Sequence, residues 1–456
     1  MGRRNHKQTL YLWMNGELVG TWSMRPHAGE TLQYDHNWLA SGQGRPLSLS
    51  LPFTPGNPPH QSDAVRTYFE NLLPDSQEIR ERVARKFRVG STQAFPLLAE
   101  IGRDCVGALQ ILPDANPPEG IKEVTATPLK EADIAQLLRR TVSPKTQVNP
   151  ERDDTDFRIS IAGAQEKTAL AWLNEQWCLP HGSTPTTHIL KLPLGLVGNL
   201  KVDMRDSVEN EWLCSKILDA FGLPVAPTQI LEFEDMKVLA VERFDRQWLS
   251  NENGQRWLVR LPQEDMCQAT ATPPHLKYES DGGPGIRSIM NLLATSQNPD
   301  RDRRLFFQAQ VLFWMLRATD GHAKNFSIFI RRGGTYELTP LYDVLSAYPV
   351  IGNGAHQLSP FKAKMAMAVR SKNPHWTMQD IVRRHWVTVG TEHGVVAPDG
   401  QGVEAVLDNL IEKTPEVVRT IRAILPKEFP THTADSILNG LLSAANKLKA
   451  EKALGT

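Results

Sequence analysis

Cysteine is scarce: Cys105, Cys178, Cys214 and Cys267 are the only four in 456 residues, and no two form a C-x-x-C pair. That spacing excludes the common structural zinc sites and a disulfide scaffold, and it leaves reduced thiols in a cytoplasmic protein as the expectation. Long apolar runs are missing as well. No window reaches the ~18 consecutive apolar residues of a membrane span, so no membrane partner is expected. Neither charge is in excess, since 51 Lys and Arg balance 51 Asp and Glu for a net charge of +0. A chain devoted to binding phosphate backbones would carry surplus cations. Two targeting signals near the start are incomplete. No apolar segment follows Arg3-Arg4, and His6 stands where a myristoylation signal has Ser or Thr. An H-E-x-x-H pair, a G-x-S-x-G elbow and any fixed-period repeat are absent too, which argues against zinc peptidases, α/β-hydrolases and solenoids.

What remains is a globular composition, 40% apolar and 22% charged, long enough for two or three domains of ~150 residues. Residues 1–112 read as a mixed α/β unit. Residues 10–14 form a strand entering an Asn15-Gly16 turn. Residues 47–51 alternate strictly, as a half-buried strand does. Helices are expected over 64–73 and 76–87, and a closing strand over 106–112. A linker with one short helix follows, 113–156, ending in a polar stretch with little to bury. From 157 to 262 the pattern is a meander of short strands: 157–161, 167–172, 176–179 and 187–192. A helix over 208–221 with Gly222 after its end comes next, then strands over 228–233 and 236–242. Residues 263–456 read as helical, broken by one hairpin at 326–338.

Chemistry concentrates in Asp320-Gly321-His322-Ala323-Lys324-Asn325. An apolar helix over about 303–316 delivers Asp320 into a polar loop, and Asn325 follows with the Asp-x-x-x-x-Asn spacing of a kinase catalytic loop. There the Asp accepts a hydroxyl proton and the Asn binds Mg²⁺. The preceding His-Arg pair of ordinary kinases is absent. The hairpin after Asn325 returns the chain to Tyr342-Asp343, so Asp343 is the counterpart of the metal-binding Asp of D-F-G. Upstream, Lys191 lies in the apolar strand Ile189-Leu190-Lys191-Leu192, where an unpaired ammonium would be costly. Phosphates offset that cost, and Glu211 on the next helix is the candidate carboxylate partner. Residues 160–167 link two strands where kinases cover the phosphates. This segment holds one glycine and matches neither G-x-G-x-x-G nor a P-loop. Residues 241–246 join the strand and helical regions, where backbone groups would face adenine.

These residues sit within a longer resemblance. The chain is similar, nearly end to end, to the HipA family of bacterial serine/threonine kinase toxins. The matching stretches are Arg45-Pro46-Leu47-Ser48-Leu49-Ser50-Leu51-Pro52, Glu70-Asn71-Leu72-Leu73-Pro74-Asp75-Ser76 and Glu100-Ile101-Gly102-Arg103-Asp104. They continue through Asp156-Phe157-Arg158-Ile159-Ser160 to Ala169, Thr187-His188-Ile189-Leu190-Lys191-Leu192-Pro193 and Leu261-Pro262-Gln263-Glu264-Asp265-Met266-Cys267. Asp320 through Phe326 and Tyr342-Asp343 complete the set. The resemblance implies an α+β fold: an α/β N-terminal region, a kinase-like antiparallel small lobe and an all-helical C-terminal lobe. It implies ATP- and Mg²⁺-dependent phosphoryl transfer to a protein serine, with glutamyl-tRNA synthetase as the family's best-known target. Asp320 is then the base, Asn325 and Asp343 the metal ligands, and Lys191 the phosphate binder. Ala162, Gly163, Ala164, Gln165, Glu166 and Lys167 form the phosphate loop. Glu242, Arg243 and Phe244 lie near adenine, and His322 and Tyr342 line the site. Ser160 matches a serine that such kinases phosphorylate on themselves. The implied partner is a helix-turn-helix antitoxin dimer bound to operator DNA. Arg383-Arg384-His385 reads as a solvated helix face, so DNA contact is expected mainly through the antitoxin. The competing reading is a kinase-like subunit kept to bind the antitoxin and tighten repression, and an intact Asp320, Asn325, Asp343 and Lys191 argue for the enzyme.

Overall fold

The structure, a computed structural model, describes residues 9–25, 29–142, 165–198 and 201–453. The strand expected over 157–161 and the polar stretch over 143–156 lie outside them. The first strand, Thr9–Met14, ends in Asn15 and Gly16 at φ 48° and 90°, the left-handed pair that a two-residue hairpin turn demands. It pairs antiparallel with Glu17–Arg25 and with Leu109–Leu112, and Gly29–Tyr34 completes a four-stranded sheet. Helices Asp63–Glu70, Gln77–Lys86 and Ala94–Ile101 accompany it. Their shared core centres on Trp22, fully buried and stacked on Phe69 at 3.7 Å. Such a ring pair adds about 0.5–1.5 kcal/mol beyond its area.

Residues 47–51 are a correction to the strand expected there. Their alternation buries Leu47 and Leu51, but the backbone turns, with Leu51 N–H donating to Ser48 O at 3.1 Å. The polar partners come from the C-terminal lobe. Leu49 N–H donates to Glu264 Oε1 at 2.8 Å, and the Ser48 and Ser50 hydroxyls donate to Gln268 O. A backbone segment satisfied by side chains and turns needs no neighbouring strand.

The second sheet runs Thr228–Phe233, Met236–Glu242, His188–Lys191, Lys167–Leu173, Gln176–Pro180, Ala126–Pro128, all antiparallel. Alternation sorts its faces. Leu170, Leu190, Val238 and Ala240 pack on helix Glu131–Val142, whereas Leu239 and Val241 pack toward helix Ser207–Ala220. Residues 126–142, expected as linker and short helix, therefore supply this sheet's edge strand and one of its covering helices. Lys191 stands opposite Leu239 on one side and Lys167 on the other, so its side chain goes to the Ser207–Ala220 face.

The C-terminal region is helical, with Pro299–Met315, Val403–Ile424 and Thr431–Ala453 its long members. The expected hairpin is Ser327–Ile330 with Tyr336–Leu338, and Gln263–Asp265 adds a third strand. A second hairpin, Lys364–Arg370 with Pro374–Thr377, was not expected. Its Met-Ala-Met-Ala run is helix-prone by propensity, and burial of Met365 through Val369 overrides that preference. All four cysteines are buried and free. Among the described residues no helix is long and apolar enough to cross a membrane.

Candidate active site

Lys191 ends its strand with the ammonium buried between two carboxylates. Nζ lies 2.6 Å from Glu211 Oε1 and 2.6 Å from Asp343 Oδ1. Helix Ser207–Ala220 carries Glu211 in its first turns, on the face turned to the sheet. Burial alone would lower the Lys191 pKa, but Asp343 and Glu211 outweigh it and hold the lysine charged. Burial pushes Glu211 up to about 7, against the pull of Lys191. Burial would also raise Asp343, yet Lys191 and Lys167 hold its carboxyl down to about 2. Lys167 is lowered to about 8 by burial and by neighbouring Lys191. A small cavity lined by Glu211, Val241, Tyr342 and Asp343 opens beside this group.

The second half of the site follows helix Pro299–Met315. The chain breaks out at Arg317, at φ 53°, and runs through Asp320 to Asn325. Gly321 has no room for a side chain, because a Cβ there would enter the ring of Phe313. Asn325 Nδ2 donates to Asp320 O at 2.8 Å and to Asp343 O at 3.4 Å. One amide thus ties the expected base to the expected metal ligand. Asp320 points outward with 58% of its side chain exposed. The Tyr278 hydroxyl donates to its Oδ1, and His322 Nε2 lies 3.9 Å from the same oxygen. Burial pushes the His322 imidazole below its ordinary value, and its buried Nδ1 has no partner among the described residues. The Tyr342 hydroxyl lies 2.5 Å from Ser327 Oγ and donates to Lys324 O at 2.8 Å, bracing the loop from below.

A Mg²⁺ ion needs hard oxygen donors and keeps several waters. Asp343 spends Oδ1 on Lys191, and Asn325 spends Nδ2 on two carbonyls. Asp343 Oδ2 and Asn325 Oδ1 make no protein hydrogen bond among the described residues, and both are oxygens. They fit a metal that takes its other ligands from phosphates and water. No cluster of three His, Cys, Asp or Glu side chains that could cage a metal occurs among the described residues.

Of the other expected site residues, Gln165 and Glu166 are tied to the Lys191 strand. Gln165 Nε2 donates to Leu192 O at 2.5 Å, and Leu192 N–H donates to Glu166 O at 3.1 Å. Ser160, Ala162, Gly163 and Ala164 lie outside the described residues. Phe244 packs on Phe329 and Tyr342, 5.7 Å from each ring. Glu242 is exposed at the end of its strand. Arg243 is buried. Its guanidinium is buried among Asp245, Asp104, Thr186 and the Cys105 carbonyl, so only its backbone is left to face a nucleotide. Arg246 and Arg260 join the same cluster, which joins the N-terminal region to the small lobe. Of the run 383–385, expected as a solvated face, only Arg384 is exposed. Arg383 is buried against Asp408 at 2.8 Å, and His385 is buried and stacked on His375 at 3.7 Å.

Several contacts at the site were not anticipated. Lys324 is buried and donates to Asn71 O and Oδ1, each at 2.9 Å, and to Asp265 Oδ2 at 3.1 Å. Lys277 pairs with Asp75 at 2.8 Å, and Arg82 pairs with Glu166. Asn71, Asp75 and Arg82 come from the N-terminal region, which therefore touches both halves of the site. The signal for Lys324 was its place between apolar residues and Asn325. A lysine there must find acceptors, but the sequence does not say where.

The chain is similar to known proteins over most of its length. Residues 10–112 match the HipA N-terminal domain family, and residues 159–418 match the HipA-like C-terminal domain family. A Sinorhizobium fredii protein named "Putative kinase Y4mE" is 32% identical over 91% of this chain and 92% of its own length. The serine/threonine-protein kinase toxin HipA of Shewanella oneidensis is 26% identical over 79% of this chain and 78% of its own. A solved Shewanella oneidensis complex of HipA, HipB and operator DNA contains a chain of the same fold. Its TM-score is 0.75 at 22% identity, covering 98% of this chain and 97% of that one.

Proposed function

The chain belongs to the HipA family, and we propose that it is an ATP- and Mg²⁺-dependent serine/threonine protein kinase acting as a cytoplasmic toxin. One observation carries this reading. Lys191 meets Asp343 at 2.6 Å while Asn325 bonds to the backbone of both Asp320 and Asp343. A scaffold that only bound a partner would have no need to bury a lysine between two carboxylates beside an exposed aspartate.

In this reading Lys191, oriented by Glu211, takes phosphate oxygens of ATP, and Lys167 adds a second cation nearby. Asp343 and Asn325 would hold Mg²⁺, which would supply positive charge against the phosphates. Asp320 accepts the proton of a substrate serine. The serine oxygen then forms the new bond to the γ-phosphorus as the bond to the bridging oxygen breaks, leaving ADP. Phe244, Tyr342 and the backbone of 242–244 border the adenine end. The acceptor is a protein serine, with glutamyl-tRNA synthetase the first candidate, and Ser160 is an autophosphorylation site. A helix-turn-helix antitoxin dimer is the neutralising partner and carries the operator contact. Burial of Arg383 and His385 supports the view that this helix does not grip DNA itself.

Radiolabelled ATP, the purified chain and Mg²⁺ test the reading, with intact-mass spectrometry beside them. Transfer to target and to Ser160 is expected from the wild-type chain. Asp320→Ala should lower it by roughly 10²–10⁴-fold, the contribution of a positioned base, with ATP binding retained. Full transfer by the variant would remove Asp320 from the role of base.

A further inference from the structure

Asp320 is exposed, and water alone would satisfy its carboxylate. It is nonetheless met by a phenol from a distant part of the chain. Tyr278 lies in the segment after the Met266–Ala269 helix and donates its hydroxyl to Asp320 Oδ1. Its ring stands edge-on to His322, with centroids 5.0 Å apart. Burial first, and then the negative charge of Asp320, push the phenol pKa upward, so the group stays a donor throughout the working pH range.

The segment that presents Tyr278 is locked on both sides. Lys277 before it pairs with Asp75 at 2.8 Å, and its carbonyl accepts from Ala323 N–H at 3.2 Å, inside the catalytic loop. Glu279 after it accepts from Ala368 N–H at 2.7 Å and from Arg370 Nε at 3.0 Å. Gly283 packs so closely that a Cβ there would enter the Leu276 carbonyl. A swinging gate would be held by few contacts; this residue is flanked by charged pairs from the N-terminal region and from the second hairpin.

We propose that Tyr278 is a positioning residue for the phosphoryl-transfer base: its hydroxyl pins Asp320 Oδ1 and leaves Oδ2 directed at the substrate serine. The inference rests on the reading of Asp320 as that base. A carboxylate on an exposed loop samples several rotamers, and a fixed donor on one oxygen selects the one in which the other faces the acceptor. Small misplacements of a reacting group have large costs in rate. Asp75, Lys277, Asp281 and Asp343 are the charged groups around the pair, with His322 neutral.

Tyr278→Phe removes one oxygen and keeps the ring against His322. Its kcat should fall about 10- to 100-fold, the loss of one hydrogen bond to a charged group. The KM for ATP and the calorimetric stoichiometry of Mg²⁺–ATP binding should stay at the wild-type values, which shows that the sites remain intact. Unchanged kcat in Tyr278→Phe, with Asp320→Ala inactive, would overturn this inference and leave the kinase reading standing. A rise in kcat would overturn it as well, since it would make Tyr278 an occluding group. Absence of transfer by the wild-type chain, or wild-type transfer by Asp320→Ala, would remove the reading on which the inference is built.

Discussion

Asp343 sits at φ 61°, in the left-handed region, at a cost of about 1–3 kcal/mol for a residue with a side chain. Hydrogen bonds hold it there, from Lys191 to its carboxylate and from Asn325 to its carbonyl. Strain at a charged residue between two other polar groups points to a role beyond folding. Asparagine tolerates the same conformation, so Asp343→Asn removes a formal charge and leaves the turn in place. Its Mg²⁺-dependent affinity for ATP should fall about tenfold or more, the scale of one lost charge-assisted bond. Calorimetry with and without Mg²⁺ reads this directly, and an unchanged affinity would reduce Asp343 to a turn residue. At this scale the sequence was informative wherever chemistry is contiguous. Asp320 and Asn325 were legible because their spacing alone brings them together, and Lys191 because a lysine in an apolar strand must have a partner. Tyr278 was not legible. Nothing local distinguishes a loop tyrosine that reaches an aspartate from one that merely packs.

Among the elements, helix Ser207–Ala220 and five of the sheet's six strands were read with nearly correct bounds, because apolar runs bounded by turn residues mark them even where burial is nearly complete, and the edge strand Ala126–Pro128 was missed. The alternation rule misled at residues 47–51, where the sequence alternates but Leu47, Ser48 and Leu51 are all buried and no strand forms. It was silent at Lys364–Arg370, where Met365 through Val369 are all buried and show no alternation to read. What the helix and sheet achieve together is the placement of Glu211 against Lys191, and that placement is pH-sensitive. Glu211 is raised to about 7, above its unfolded value. Its contribution to stability is therefore full below the ordinary carboxylate range and is lost as pH rises through about 7. Its function runs the other way, since the charge that orients Lys191 appears over that same rise. Lys167, lowered to about 8, loses its charge above that point. ATP affinity of the unliganded chain should thus be bell-shaped, with limbs near 7 and 8. Glu211→Gln should flatten the acid limb and Lys167→Met the alkaline one. Titrations between pH 6 and 9 check both, and an acid limb that persists in Glu211→Gln would assign it to another group.

Over the whole molecule, the N-terminal region is a wall of the active site as well as a separate layer. Arg82 reaches Glu166 in the segment proposed to cover the phosphates, Asn71 reaches Lys324 in the loop 320–325, and Asp75 reaches Lys277 next to that loop. Lys324 is the most deeply buried of these cations. Its ammonium is buried, so each acceptor offsets part of a desolvation cost that is large for an unpaired charge. Asn71→Leu keeps the approximate volume and the backbone carbonyl, and it removes one acceptor from Lys324 as well as the amide's bonds to Thr67 O and Thr272 O. It should cost about 1–3 kcal/mol of stability. Lys324→Met removes the charge together with its need for partners. If the two side chains act as one link between the layers, their effects will not add: the double variant should differ from the sum by about 0.5–3 kcal/mol. Kinase turnover should fall in Asn71→Leu although that residue lies far in sequence from Asp320, because the loop carrying the base would lose an anchor. Hydrogen exchange over residues 320–325 should quicken in the same variant. Additive stabilities combined with unchanged exchange in that loop would show that the N-terminal region is merely packed beside the catalytic machinery and does not hold it.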